Sequence, residues 1–252
     1  MLGLVCYRDA GETNGTRTLL GARFAAACVA RGEGPRAYLS ACRAAKYLKK
    51  RRVRQAVFPR DYPYRTVFSR FGVLAPDERP LRQVKAAEII RCAMAKRSLR
   101  ADRARLALVS PVPSAALEAA AAALARDVRY LTLCVPNAAR IARALRWDCG
   151  AGIAVAAEAD LCADLAALFG GGERELACPV LPVESGALAL RYGAAAVEDA
   201  TEWDENQLLC ALYAASALRA EEIFVKDVIF PAKPAENRQM SIGKCNKTKK
   251  YF

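Results

Sequence analysis

The chain has 252 residues, 54% hydrophobic and 26% charged, with 39 Lys plus Arg against 26 Asp plus Glu and no His. That apolar share supplies a packed core, and the length suits one large domain or two small ones. The missing His excludes Ser-His-Asp and Cys-His catalysis, imidazole metal ligation and His-based pH switching.

The net charge of +13 is unevenly divided. Residues 1–105 carry 24 basic and 8 acidic side chains, residues 106–232 carry 9 and 17, and residues 233–252 carry 6 and 1. Long-range electrostatics offers two explanations. The basic part meets an anionic partner, or it docks on the acidic part of the same chain or of a second copy. The ten Cys are never closer than thirteen residues and form no C-x-x-C pair, so zinc-ribbon and thioredoxin-like readings lack support. Most sit in apolar stretches such as Leu133-Cys134-Val135 and read as buried reduced thiols, with Cys245 the expected exposed one. The N-terminus lacks the basic start, long apolar stretch and cleavage site of a secretory leader. No charge-free apolar run reaches the ~18–20 residues of a membrane span. A cytoplasmic protein without membrane contact is expected.

In chain order, Leu2 to Tyr7 reads as a buried strand and Arg8 to Gly15 as a polar turn. Thr16 to Arg31 reads as a helix broken by Gly32 to Pro35. Arg36 to Arg51 is a clearer helix, with Tyr38, Ala41, Cys42, Ala45 and Leu48 on one face. Arg52 to Phe58 reads as a strand ended by Pro59, Tyr64 to Phe71 as a short helix closed by Gly72, and Leu81 to Leu99 as one strong helix. A regular rhythm follows: strand Arg105 to Ser110, helix Ser114 to Arg126, strand Arg129 to Val135, helix Asn137 to Trp147, strand Gly152 to Ala157. Asp160 to Phe169 fits either a helix or, in its second half, a strand. Ala177 to Leu181 and Ala187 to Tyr192 read as a strand pair around Glu184-Ser185-Gly186. A helix over Trp203 to Leu218 and a strand over Ile223 to Phe230 close the pattern.

Strands alternating with helices of this length indicate βαβ units. The fold class is α/β, with one or more mostly parallel, Rossmann-like three-layer sheets. The expected division is a basic N-terminal α/β half over 1–78, a Rossmann-like half over 79–231 and a basic tail over 232–252.

Open parallel sheets bind ligands beyond the carboxyl ends of their strands, which selects four loops. The first, Arg8 to Gly15, offers Arg8 and Asp9. The second, Pro59 to Arg65, gathers Arg60, Asp61, Tyr62, Tyr64 and Arg65. Arg offers bidentate donors to phosphate or carboxylate, Tyr a stacking face, and Pro a stiff frame. These suit a nucleotide-like ligand; a rigid turn whose Tyr rings cover the core edge explains them too. If the first two strands are neighbours, Asp9 and Asp61 converge where a Mg²⁺ could sit, although turn-forming Asp residues account for the same pair. In the third loop Ser110-Pro111-Val112-Pro113-Ser114 stands where a dinucleotide-binding turn would be Gly-rich, and Pro has no N–H for a phosphate. The layout resembles a Rossmann-like fold without its usual pyrophosphate cradle. The fourth loop is Pro136-Asn137; Ser114 and Asn137 read as helix N-caps.

A basic surface is expected from Arg43, Lys46, Lys50, Arg54, Lys85 and Lys96, joined by Arg82 and Arg97. No signature of sequence-specific nucleic-acid reading accompanies it. Three functions follow: binding of a nucleotide, a phosphate-bearing ligand or an acidic polymer such as nucleic acid, through the basic half; a nucleotide-dependent or Mg-assisted phosphoryl-handling enzyme; or a homo-oligomer joined through opposite charges. The sequence names no reaction and no cofactor.

Overall fold

The computed structural model describes residues 1–8, 13–150, 152–170, 176–185, 189–197 and 202–230. The chain opens with β1 (Leu2–Tyr7), β2 (Gly15–Leu19) and β3 (Ala22–Val29). β2 and β3 form an antiparallel hairpin, which corrects the helix expected over Thr16 to Arg31. Leu20 and Gly21 turn the chain with φ of 48° and 82°, the left-handed pair whose twist matches a tight hairpin. The Ala-rich run Phe24 to Val29 shows no helical or alternating period because β3 lies between β2 and β1 and is buried on both faces.

α1 (Pro35–Lys50) follows, with Pro at its start and Lys49 and Lys50 at the negative end of its dipole. It buries Ala41, Ala45 and Leu48 of the expected face, together with Ala37 and Ala44, but leaves Tyr38 of that face exposed. β4 (Ala56–Val57) pairs parallel with β1, and β3 does the same on the other side, giving the order β2-β3-β1-β4. A Cβ at Gly3 would lie 2.9 Å from both Ala56 Cβ and Val53 Cγ1, so glycine lets β4 close against β1.

α2 (Arg65–Arg70) is the short helix expected before Gly72. The long helix expected over Leu81 to Leu99 is two, α3 (Arg79–Val84) and α4 (Ala86–Lys96), meeting at Lys85. The apolar spacing survives on α4, which buries Ala86, Ile89, Ile90, Ala93 and Met94.

Next come β5 (Arg105–Val109), α5 (Ala115–Leu124), β6 (Tyr130–Cys134), α6 (Ala138–Cys149) and β7 (Ile153–Val155). β8 (Leu165–Leu168) and β9 (Val180–Pro182) complete a five-stranded, all-parallel sheet of order β7-β6-β5-β8-β9. The chain winds outward from β5 and then reverses to β8, the Rossmann-type order with its switch point between those strands. The strand alternative thus holds for Leu165 to Leu168. β10 (Ala189–Gly193) and β11 (Phe224–Ile229) form a separate antiparallel ribbon, with α7 (Glu205–Ala214) between them in sequence. The pair expected around Glu184 to Gly186 is therefore corrected: β9 joins the large sheet while β10 turns to β11.

One apolar core joins Leu4, Phe24 and Val57 of the first sheet to Ile89, Leu106, Leu133 and Leu208. The reverse face of the first sheet packs Val5, Ala25 and Val29 on Ala41 and Leu48, with Phe58, Tyr62 and Phe68 at the rim. Neighbours Leu4 and Val5 reach opposite faces because strand side chains alternate. Late residues return to the first sheet: Trp203 Nε1 donates to the Val5 carbonyl at 2.9 Å, and Phe58 N donates to Gln207 Oε1 at 3.1 Å. Among the described residues no helix is long and apolar enough to cross a membrane. The basic tail over 232–252 lies outside the described residues, as does Cys245. Cys162 is an exposed thiol, its Sγ accepting from Arg105 at 3.1 Å.

Candidate functional site

β1 and β4 are parallel neighbours, so the turns after Tyr7 and Phe58 open on the same side of the sheet. β3 ends on that side as well, and there the chain passes into α1. Between them is a cleft of about 300 Å³ lined by Arg8, Asn14, Cys28, Arg36, Ser40 and Arg43, with Ala30, Leu39 and Ala44 as its apolar wall. Arg8 is held by its own backbone, its N–H donating to the Val29 carbonyl at 2.7 Å. Arg36, Ser40 and Arg43 project from one side of α1, at i, i+4 and i+7. Cys28 N donates to Asn14 Oδ1 at 2.8 Å, and Ala30 N donates to Ser40 Oγ at 3.0 Å. Those bonds use the acceptor side of both polar groups and leave the amide NH₂ and the hydroxyl hydrogen to donate. Among the described residues no carboxylate lines the cleft, and Arg8, Arg36 and Arg43 make no ion pair. Three guanidiniums and two neutral donors make a site for an anion.

The second loop is built differently from its expected role. Tyr62 is 4% exposed and packs edge-on to Tyr7, Tyr64 and Phe68 and parallel to Phe58, so its ring is core rather than a stacking face. Its hydroxyl has no hydrogen-bond partner among the described residues, and burial pushes its pKa up. The Tyr64 hydroxyl accepts from Gly34 N at 2.8 Å and donates to Gly34 O at 3.2 Å, which pins the entry to α1 beside the Arg cleft. Arg65 donates to the Pro59 carbonyl at 3.3 Å and pairs with Asp204 at 3.4 Å. Arg60 lines a separate cleft of about 500 Å³ with Arg191, Asp204, Glu205, Asn206 and Lys226, where both signs of charge are mixed. Asp61 is exposed at a left-handed turn position, φ 51°. Asp9, and with it the convergence expected with Asp61, lies outside the described residues. Among the described residues no three Cys, Asp or Glu side chains gather where a metal ion could be held.

At the switch point of the large sheet, Ser110 is buried and donates to the Val112 carbonyl at 2.6 Å. A Cβ on Gly170 would meet Pro111 Cδ at 3.3 Å, so the Pro ring already fills the space beside the end of β8. Ser114 caps α5 through Leu117 N at 3.2 Å. Asn137 does not cap α6; it adopts φ 59° and its side chain bonds no helix N–H, a correction explained by its left-handed turn. Beyond β5, β6 and β7 lies an open crevice of about 360 Å³ lined by Ser110, Pro111, Cys134, Val135, Pro136 and Glu158, short of hydrogen-bond donors.

The expected basic surface divides. Arg43, Lys46, Lys50 and Arg54 are exposed. Lys85 instead pairs with Glu88 and Lys96 with Asp227, both at 2.7 Å, and Arg82 is buried against Glu78. They are corrected to internal partners because Glu78 before α3, Glu88 on α4 and Asp227 on β11 lie within reach. Sequence reasoning missed Arg36, Ser40, Asn14 and Cys28, since a helix over Thr16 to Arg31 would have carried Cys28 away from α1. The alternation Thr16-Arg17-Thr18 followed by Leu20-Gly21 was the available signal.

No protein-family model matches the chain, and no curated protein matches it. A solved structure described as a shikimate 5-dehydrogenase-like protein is similar at 13% identity and a TM-score of 0.26. The alignment covers 67% of this chain and 65% of that protein's length. The fold assignment rests on the strand order itself.

Proposed function

We propose that the protein binds a phosphate-bearing anion through its basic N-terminal part, with Arg8, Arg36 and Arg43 as anchors. The single observation behind this reading is a cleft in which, among the described residues, three guanidiniums meet no carboxylate. Like charges gathered this closely repel one another, and a bound anion relieves that repulsion. Guanidinium forks match phosphate geometry, while the NH₂ of Asn14 and the hydroxyl of Ser40 supply neutral donors. The ligand is a nucleotide, another small phosphorylated molecule, or one phosphate of a longer polyanion that continues along Lys46 and Lys50 of α1. A reducing cytoplasm suits the eight free thiols among the described residues.

The test is thermal stability of the full chain with inorganic phosphate, pyrophosphate, a mononucleotide and a short oligonucleotide. Saturation at 100 times Kd stabilises by about 2.7 kcal/mol, a shift of about 5–11 °C. Arg36→Ala with Arg43→Ala should abolish the shift without lowering the unliganded melting temperature. Absence of any shift, or a shift that persists in the double variant, overturns the assignment.

A further inference from the structure

A second surface, independent of the Arg cleft, stands on α6. This helix buries Ala138, Ile141, Ala142 and Leu145. Its other side presents Arg140, Arg143, Arg146 and Trp147 to solvent. Trp147 is 91% exposed, whereas Trp203 is 8% exposed. Arg140, Arg143 and Trp147 fall at i, i+3 and i+7, a stripe about 10.5 Å long at 1.5 Å per residue. Arg143 and Arg146 have no ion-pair partner among the described residues, and Arg140 only reaches Glu118 at 3.8 Å with both side chains in water. Asp148 is the nearest acid in sequence, and it is exposed.

We propose that this face is a platform for a single-stranded nucleic acid, with the Trp147 indole stacking on a base and Arg140, Arg143 and Arg146 meeting the phosphates. Charge complementarity selects the occupant: an exposed ring amid three guanidiniums pairs an aromatic surface with polyanion contacts, the combination that holds unpaired strands. An unpaired strand is required because a base already stacked within a duplex offers no face to the ring. A lipid surface fits less well, since a helix lying in a membrane inserts a row of large apolar side chains and this face has one. A second copy fits less well too, because a twofold contact would set these guanidiniums against each other.

The chain has two Trp, and the buried one donates its indole N–H to Val5, so accessible fluorescence comes from Trp147. The experiment titrates the full chain at about 50 mM salt with an oligothymidylate of about twelve nucleotides, following tryptophan emission and the anisotropy of a labelled strand. The expected result is saturable quenching. Trp147→Ala should weaken strand binding at least tenfold, Trp147→Phe should retain most of the affinity, and Arg140→Ala/Arg143→Ala/Arg146→Ala should weaken it and flatten its salt dependence. Quenching reports this surface and not the Arg cleft, because no Trp lines the cleft among the described residues. Absence of quenching, or affinity unchanged in Trp147→Ala, overturns the proposal. So does a blue shift with phosphatidylserine vesicles and no response to the strand, which assigns the face to a membrane.

Discussion

Two stretches of this chain look alike in charge and behave differently in space. Residues 13–54 carry eleven basic side chains and one acidic; residues 60–105 carry twelve and five. In the second stretch Arg65, Arg91 and Lys96 reach acidic residues far along the chain, Asp204, Asp127 and Asp227. Arg82, Lys85 and Arg100 pair with carboxylates close by in sequence. In the first stretch Arg36, Arg43, Lys46, Lys50 and Arg54 pair with none among the described residues. Local carboxylates and later acidic residues thus pair with six cations of the second stretch, while Arg36, Arg43, Lys46, Lys50 and Arg54 of the first stay open to a partner. Net charge read from sequence does not separate the two, because pairing depends on which elements the fold brings together.

This contrast can be broken at its anchors. The largest effect is expected from Trp203→Ala, which removes a buried indole and its bond to Val5 where late residues meet β1. A loss of about 3–5 kcal/mol in denaturant unfolding is predicted. Next is Glu78→Ala, which removes the carboxylate that accepts two bonds from the Arg82 guanidinium, a side chain only 5% exposed. A loss of about 2–3 kcal/mol is expected, smaller than for a fully buried pair because Glu78 is partly in water.

High pH gives a third handle. Burial pushes the Cys210 thiol from 9.0 to about 12 and raises the Tyr62 and Tyr192 hydroxyls as well. Each folded pKa lies above its unfolded value, so the stabilisation is complete below the unfolded pKa and is lost as pH rises through the folded one. Between pH 9 and 10 Cys210 alone should cost about 1 kcal/mol, read as a falling melting temperature. A flat profile from pH 8 to pH 11 would contradict the buried placement of these groups. The smallest effect on stability is expected in the open stretch: Lys46→Ala with Lys50→Ala should change unfolding by no more than about 0.5 kcal/mol.

Much of the fold was legible because its strands and helices carry their own periods. The alternation from Arg105 to Val155 fixed the parallel sheet, and the spacing Ala86, Ile89, Ile90, Ala93 and Met94 identified the buried side of α4. The β2–β3 hairpin was hidden because Leu20 occupies a left-handed position usually signalled by Asn or Asp, and because Ala-rich β3 resembles a helix. The candidate site was legible in part. Arg8 and Arg43 could be picked out by charge and loop position, but Arg36, Ser40 and Asn14 join them only when β3 is a strand. The Tyr residues after Pro59 pointed toward stacking; the contacts of Tyr62 with Phe58 and Phe68 are long-range packing that no local spacing encodes.

The most direct measurement compares phosphate-ligand affinity, by calorimetry at fixed low salt, in two charge-matched double variants. Arg36→Gln with Arg43→Gln removes two unpaired cations; Arg91→Gln with Arg105→Gln removes two that pair with Asp127 and Asp164. Both lower the net charge of +13 by two, so net charge cannot distinguish them. The predicted result is at least a tenfold loss of affinity in the first variant and wild-type affinity in the second. Equal losses in both, or none in the first, would contradict the division between open and neutralised cations.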